Sequence, residues 1–316
     1  MPQDVAVSII IPTWNGERFI ANCLESLRHT CPENIEILVV DNGSLDATPQ
    51  IVAKFPNICL ISNVANRGFS AAVNQGLQLA HGDILFLLNQ DTVAHPDWPQ
   101  ALQRRFTQDA QLGILGCKLL YPDGRLQHAG GRLLEPNWMS EHVPEDFAGP
   151  LDFVTGAAFA IRRECFSQVG LFDTGYYPAY YEDVDYCLRA RLHGWNIACE
   201  LNAQFTHFES QSQTTDMNQW IMHGTQRLRL ALIHGSTEWL IARFFPSEQE
   251  LIKQNKLREW RVAMANVYLM AAIQLRATAK RHQVLYSQDV RINWLLEIHH
   301  QILLLRQLAL GYAFET

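Results

Sequence analysis

The chain has 316 residues, 48% hydrophobic and 18% charged, with a formal net charge of −7. That composition excludes a disordered chain, and the acidic balance speaks against a nucleic-acid partner. Seven cysteines, odd in number and without a Cys-x-x-Cys pair, exclude a disulfide framework and are expected as reduced thiols in a cytoplasmic protein.

Taken in order, Met1-Pro2-Gln3-Asp4 lacks a basic region and opens onto Val5–Ile11, a β-branched run expected as a strand buried on both faces rather than a leader. Pro12-Thr13-Trp14-Asn15-Gly16 forms a turn, and Glu17–His29 has helical spacing through Phe19, Ile20, Cys23, Leu24 and Leu27. Ile35–Val40 is a second strand, closed by Asp41-Asn42-Gly43-Ser44 and followed by a short helix expected to be capped by Ser44 or Asp46. Ile58–Ile61, Phe69–Ala80 and Ile84–Leu88 predict strand, helix and strand, the last closed by Asn89-Gln90-Asp91. This alternation implies a parallel sheet with right-handed crossovers, whose ligands bind at the carboxyl ends of the strands. Asp41 and Asp91 fall there. Neither Gly-x-x-x-x-Gly-Lys-Ser/Thr nor Gly-x-Gly-x-x-Gly occurs after the first strand, which argues against P-loop enzymes and ordinary dehydrogenases.

Further on, Asp123-Gly124 marks a hairpin, read as scaffold. Thr155-Gly156-Ala157 has the small residues of a close-packed turn before a helix. Glu182, Asp183 and Asp185 crowd what reads as a helix's first turn, with Arg189 and Arg191 behind them. Helix electrostatics accounts for such a cluster, and so does a carboxylate raised in pKa to accept a proton from a hydroxyl. Residues 1–210 hold 13 basic and 24 acidic groups, and residues 211–316 hold 12 and 8. With Gly and Pro also becoming scarce, we expect an α/β domain over 1–211 and a helical extension over 212–316. Its segments Trp220–Ile233, Trp239–Phe245, Trp260–Leu275 and Trp294–Leu310 read as amphipathic helices, with Arg276, Lys280 and Arg281 on a polar face. That face suits anionic lipid, a solvated surface or a homodimer seam. No segment approaches the roughly 18 uninterrupted apolar residues of a membrane span.

The ordered pieces VSIIIPTWN (7–15), VVDNGSLD (39–46), NRGFSAAVN (66–74), FLLNQDT (86–92), GRLQHAGG (124–131), VTGAAFAIRR (154–163), GLFD (170–173), EDVDYCLR (182–189) and His207 resemble the inverting family 2 glycosyltransferases of GT-A fold, in particular the rhamnosyltransferase-like branch. The resemblance implies transfer of a sugar from a dTDP-, UDP- or GDP-sugar to a saccharide or lipid-linked hydroxyl, with Mg2+ or Mn2+, in polysaccharide or glycolipid synthesis. By it Asp41 contacts the nucleobase beside the Pro12–Asn15 turn, Asn66, Gly68 and Asn89 line the nucleotide pocket, and Asn74 braces its loop. Asp91 is the last residue of the Asp-x-Asp-like motif, which here has a single carboxylate, and His207 supplies the missing ligand. Thr155, Gly156 and Ala157 line the acceptor cleft. Asp183 is the general base, with Glu182 and Asp185 orienting it or capping the helix; His128 stays outside the catalytic set. A sugar nucleotidyltransferase, a degenerate sugar-nucleotide-binding module and a peripheral scaffold remain alternatives.

Overall fold

A computed structural model describes residues 6–32, 34–208, 217–286 and 292–314. The chain divides into two compact units, Met1–Arg132 with Glu141–Gln211, and Leu133–Ser140 with Ser212–Thr316. The expected boundary at 211/212 lies outside the described residues.

The first unit begins with β1 (Val7–Thr13), α1 (Ile20–Thr30), β2 (Ile35–Asp41), α2 (Thr48–Val52), β3 (Ile58–Ser62), α3 (Phe69–Leu79) and β4 (Ile84–Leu88). β1 pairs in parallel with β2 and β4, and β2 with β3, as the alternating pattern requires. Val7, Ile9, Ile10 and Ile11 are fully buried, each contributing roughly 1.5–3 kcal/mol of transfer free energy. Ile10 meets α3, where Gly76 leaves room for it, and Ile9 and Ile11 join the cluster that α1 covers on the other face. The cap of α2 differs from expectation: Ala47 occupies the N-cap without a side-chain bond. Ser44 is drawn away to Asp41, and Asp46 accepts the Thr48 N–H from one position further out.

The sheet continues with β5 (Thr92–Ala94), α4 (Trp98–Gln108), β6 (Leu112–Leu120) and β7 (Leu126–His128), the last two forming the hairpin signalled by Asp123-Gly124. Next come β8 (Gly131–Leu134), β9 (Met139–His142), β10 (Ala158–Arg162), α5 (Arg163–Val169), α6 (Glu182–Leu192) and β11 (Asn196–His207). Strand order is β3-β2-β1-β4-β10-β6-β11-β5 with β7 beside β6. β10 runs antiparallel between β4 and β6, and β5 and β7 also pair antiparallel, so the sheet is mixed, with four parallel and four antiparallel pairings among the described residues. Consequently Thr155–Ala157 leads into a strand; the helix expected directly after it begins only at Arg163.

The second unit is helical: α7 (Met217–His234), α8 (Thr237–Trp239), a π-helical turn (Leu240–Phe244), α9 (Phe245–Gln254), α10 (Arg258–Tyr286) and α11 (Ile292–Phe314). Its core joins Leu228, Phe244, Tyr268, Leu275 and Ile302, and a buried Arg227–Glu248 ion pair is closed by the Tyr268 hydroxyl. One expectation is corrected here. α10 carries an 18-residue window of mean hydropathy 1.2, long and apolar enough to cross a membrane by composition. Half of that window is buried, with Met264, Val267, Tyr268, Ala271 and Leu275 packed in the core.

Candidate active site

The carboxyl ends of β1, β2 and β4 open onto a cleft of about 310 Å³, walled by Pro12, Thr13 and Trp14, by Asn42 and Asn66, by Phe69, by Asn89, Gln90 and Asp91, and by Pro178 and Ala179. Its wall is built from amide side chains that hold one another. Asn42, nearly buried, donates to Asn66 Oδ1 (3.0 Å) and to the Gly68 carbonyl (3.1 Å), while its own Oδ1 accepts from Asn63 and from the Arg67 N–H. Gln90 Oε1 accepts from the Thr13 hydroxyl and the Trp14 N–H, tying the turn after β1 to the turn after β4. At Gly68 φ is +87°, and a Cβ would stand 2.8 Å from the Tyr177 ring, so only glycine fits.

Of the residues singled out in the sequence, Pro12, Asn66, Asn89 and Asp91 line this cleft, whereas Asp41 does not. Its carboxylate accepts from the Ser44 hydroxyl (2.5 Å) and N–H, and the neighbouring Asn42 lines the cleft. Asn15, at φ +48°, also serves the scaffold: its Oδ1 accepts the Leu45 N–H and its own N–H goes to Ser44. Asn74 exchanges two 2.9 Å bonds with the backbone of Phe172, bracing the loop ahead of α6.

Asp91 and His207 meet at the end of the cleft, with His207 Nε2 3.3 Å from Asp91 Oδ1 and 3.5 Å from Asn89 Nδ2. His207 Nδ1 lies 2.9 Å from Gln127 Oε1, an acceptor that orients the ring with Nε2 on the Asp91 side. A carboxylate and an imidazole nitrogen are both ligand types that a divalent cation accepts. Among the described residues no group of three or more His, Cys, Asp or Glu is placed to hold a metal alone. The pair fits two positions of a divalent ion's shell, and the remaining oxygen ligands would have to come from a diphosphate and water.

α6 presents the acidic cluster. Tyr180 and Tyr181 ahead of it both have positive φ, +79° and +66°, strain of roughly 1–3 kcal/mol each that gathers at functional sites. The three carboxylates then part in role. Asp185 is fully buried and paired with Arg189 Nε at 2.8 Å, which leaves Asp183 unneutralised by Arg189. Asp183 Oδ2 accepts the Gly156 N–H and Oδ1 the Val184 N–H, both at 2.8 Å. Burial raises its pKa, outweighing these donors and the nearby His142. Burial pushes Glu182 well above the carboxylate range, and the Asp183 charge adds to it. Of the two raised carboxylates, Asp183 is the one held by two backbone N–H donors, which favour the charged form that can accept a proton.

The turn Thr155–Ala157 joins these parts. The Gly156 N–H holds Asp183, while the Ala157 carbonyl accepts the Asn89 N–H at 3.0 Å. A Cβ at Gly156 would make ordinary contacts, 3.6 Å to the Phe69 ring and 3.7 Å to Asp183 Cβ. Close packing does not demand glycine there. Sequence reasoning missed Asn42, Gln90 and Gln127, whose work depends on partners 24 to 80 positions away; Gln127 lay within the quoted GRLQHAGG piece without a role.

Known proteins show the same architecture. The profile of glycosyl transferase family 2 matches residues 8–170. Protein y4gI of Sinorhizobium fredii, itself uncharacterized, is 32% identical over 230 residues, 66% of this chain and 25% of that protein. An N-acetylglucosaminyl-diphospho-decaprenol L-rhamnosyltransferase of Mycobacterium tuberculosis is 29% identical over 239 residues, 66% of this chain and 78% of that protein. This chain spans 25%, 35% and 19% of the length of three of the curated relatives it matches. The mannosyltransferase PcManGT of Pyrobaculum calidifontis, solved with GDP-Man and Mn2+, matches with a TM-score of 0.55 and 19% identity, over 100% of this chain and 91% of its own. The fold and family expected from the motifs are borne out: this chain belongs to glycosyl transferase family 2.

Proposed function

We propose that the protein transfers a sugar from a nucleoside-diphosphate sugar to an acceptor hydroxyl with inversion. The observation that carries this reading is Asp183, a carboxylate of raised pKa held by the Gly156 N–H on a turn that also binds the Asp91 motif. In this reading the nucleoside diphosphate lies in the cleft between Trp14, Asn66 and Phe69, with its phosphates at Asp91 and His207. A bound divalent ion would neutralise charge building on the leaving diphosphate. Asp183 takes the proton of the acceptor hydroxyl as its oxygen attacks the anomeric carbon from the side opposite the diphosphate. The Gly156 and Val184 N–H groups keep that carboxylate in place.

The rhamnosyltransferase relative, matched over 78% of its length, supports rhamnose as the donor sugar and a lipid-linked diphosphate saccharide as the acceptor. The donor class and the seven free cysteines support a cytoplasmic location as part of this proposal. The exposed Arg276 and Lys280, four residues apart on α10 beside exposed Ile273 and Val284, support peripheral contact with anionic lipid. Phosphatidylglycerol vesicles should retain the protein in sedimentation, neutral vesicles should not, and Arg276→Glu with Lys280→Glu should release it. Retention unchanged by that pair of substitutions would refute the contact. The experiment for the whole reading is a panel of UDP-, GDP- and dTDP-sugars with Mn2+ or Mg2+, followed by thermal shift and sugar transfer. A ligand at 100 times its Kd should stabilise by about 2.7 kcal/mol. Stabilisation by no member of the panel would contradict it.

A further inference from the structure

We propose that His128 is a positioning residue for the reaction: its ring fixes the Thr155–Gly156 turn, and that turn fixes Asp183. The inference deepens the proposed function and rests on Asp183 being the base.

His128 lies on β7, paired with Leu119 of β6, and is 0% exposed. Its ring sits edge-on to His142 at 4.7 Å between centroids and 6.2 Å from the Phe153 ring. Nothing of it reaches the cleft. Its Nε2 accepts the Thr155 N–H at 3.2 Å, which requires a lone pair there and places the proton on Nδ1. That Nδ1 is buried and meets no partner among the described residues. An unpartnered buried N–H is a standing cost to stability that an apolar side chain of similar shape would avoid. What the imidazole provides in return is one bond, to the backbone of Thr155. Burial holds its pKa well below the ordinary histidine value, with His142 and His207 adding to the effect, so the lone pair persists at neutral pH.

The next N–H along the chain, that of Gly156, donates to Asp183 Oδ2 at 2.8 Å, and the following carbonyl, that of Ala157, accepts from Asn89. Three consecutive residues thus tie His128, the base and the metal-binding motif together. Losing the first tie frees the Thr155 N–H and lets the turn carrying Asp183 shift, and displacements near 1 Å from the productive geometry cost rate steeply.

The test compares His128→Leu, which removes the acceptor, with His128→Gln, whose Oε1 can restore it. Amide hydrogen exchange and single-turnover transfer are read on the full chain, with whichever UDP-, GDP- or dTDP-sugar of the panel is active. In His128→Leu, exchange at Thr155 and Gly156 should rise and kcat should fall about 10-fold or more with donor KM within about twofold. His128→Gln should recover most of both. Unchanged exchange, or raised exchange with unchanged kcat, would overturn the proposal, as would equal loss in the two variants. Absence of transfer by the unsubstituted protein would count against the functional reading alone, because exchange still decides whether His128 holds the turn.

Discussion

Asp183 and Asp185 stand two positions apart on the first turn of α6, yet they are assigned opposite tasks. Asp185 is 0% exposed and Arg189 2%, so removing one partner strands a buried charge. Asp185→Ala should lower stability by about 3–5 kcal/mol, read from denaturant unfolding. Asp183 runs the other way. Its folded pKa is raised, so the folded state binds more protons than the unfolded one, and stability falls as pH rises from the ordinary carboxylate value near 4 through the raised one. Asp183→Asn should therefore raise Tm at neutral pH, and a lower Tm would show the carboxylate to be structural. The same direction sets activity: the acid limb of kcat/KM should sit above an ordinary carboxylate's and vanish in Asp183→Asn. The crowding of these acids was legible in the sequence. The i,i+4 spacing of Asp185 and Arg189 favoured their pairing over Asp183, six residues away on another face, but the burial of that pair is a tertiary fact. Asp41 bonds Ser44 three residues on, and its neighbour Asn42 lines the cleft, a placement that strand-end spacing alone does not distinguish.

At the scale of elements, β7 contributes two neighbouring side chains to two different tasks. Gln127 orients His207, and His128 holds the turn under Asp183. Gln127→Leu should weaken binding of UDP, GDP or dTDP in the presence of Mn2+ by at least about 10-fold in calorimetry, while leaving metal-free binding unchanged. Equal weakening with and without metal would place Gln127 in the scaffold. The first four strands and three helices were legible because buried parallel strands read as continuous β-branched runs. β5, β10 and β11 were met only as motifs. β5 has three residues and β10 five, and β11 pairs through register shifts that break any simple alternation. The turn at Thr155–Ala157 looked like a helix start because small residues serve both kinds of turn; the antiparallel insertion of β10 between β4 and β6 is a tertiary fact.

For the molecule as a whole, the ordered motifs carried the family, and the shift in charge and glycine content marked the helical segment without fixing its lengths. α10 runs 29 residues where the apolar spacing suggested about 16, because its burial continues past Leu275 through Thr278, Ala279 and His282, which an apolar stripe does not register. The central claim is that this family 2 chain moves sugar with Asp183 as the base, and single-turnover transfer by Asp183→Asn beside a titration of donor nucleotide tests it most directly. The account predicts a fall in kcat on the order of 10²-fold or more with nucleotide affinity nearly intact. Near-normal kcat in a folded Asp183→Asn protein would contradict it, and a comparable fall in Glu182→Gln alone would move the base to Glu182.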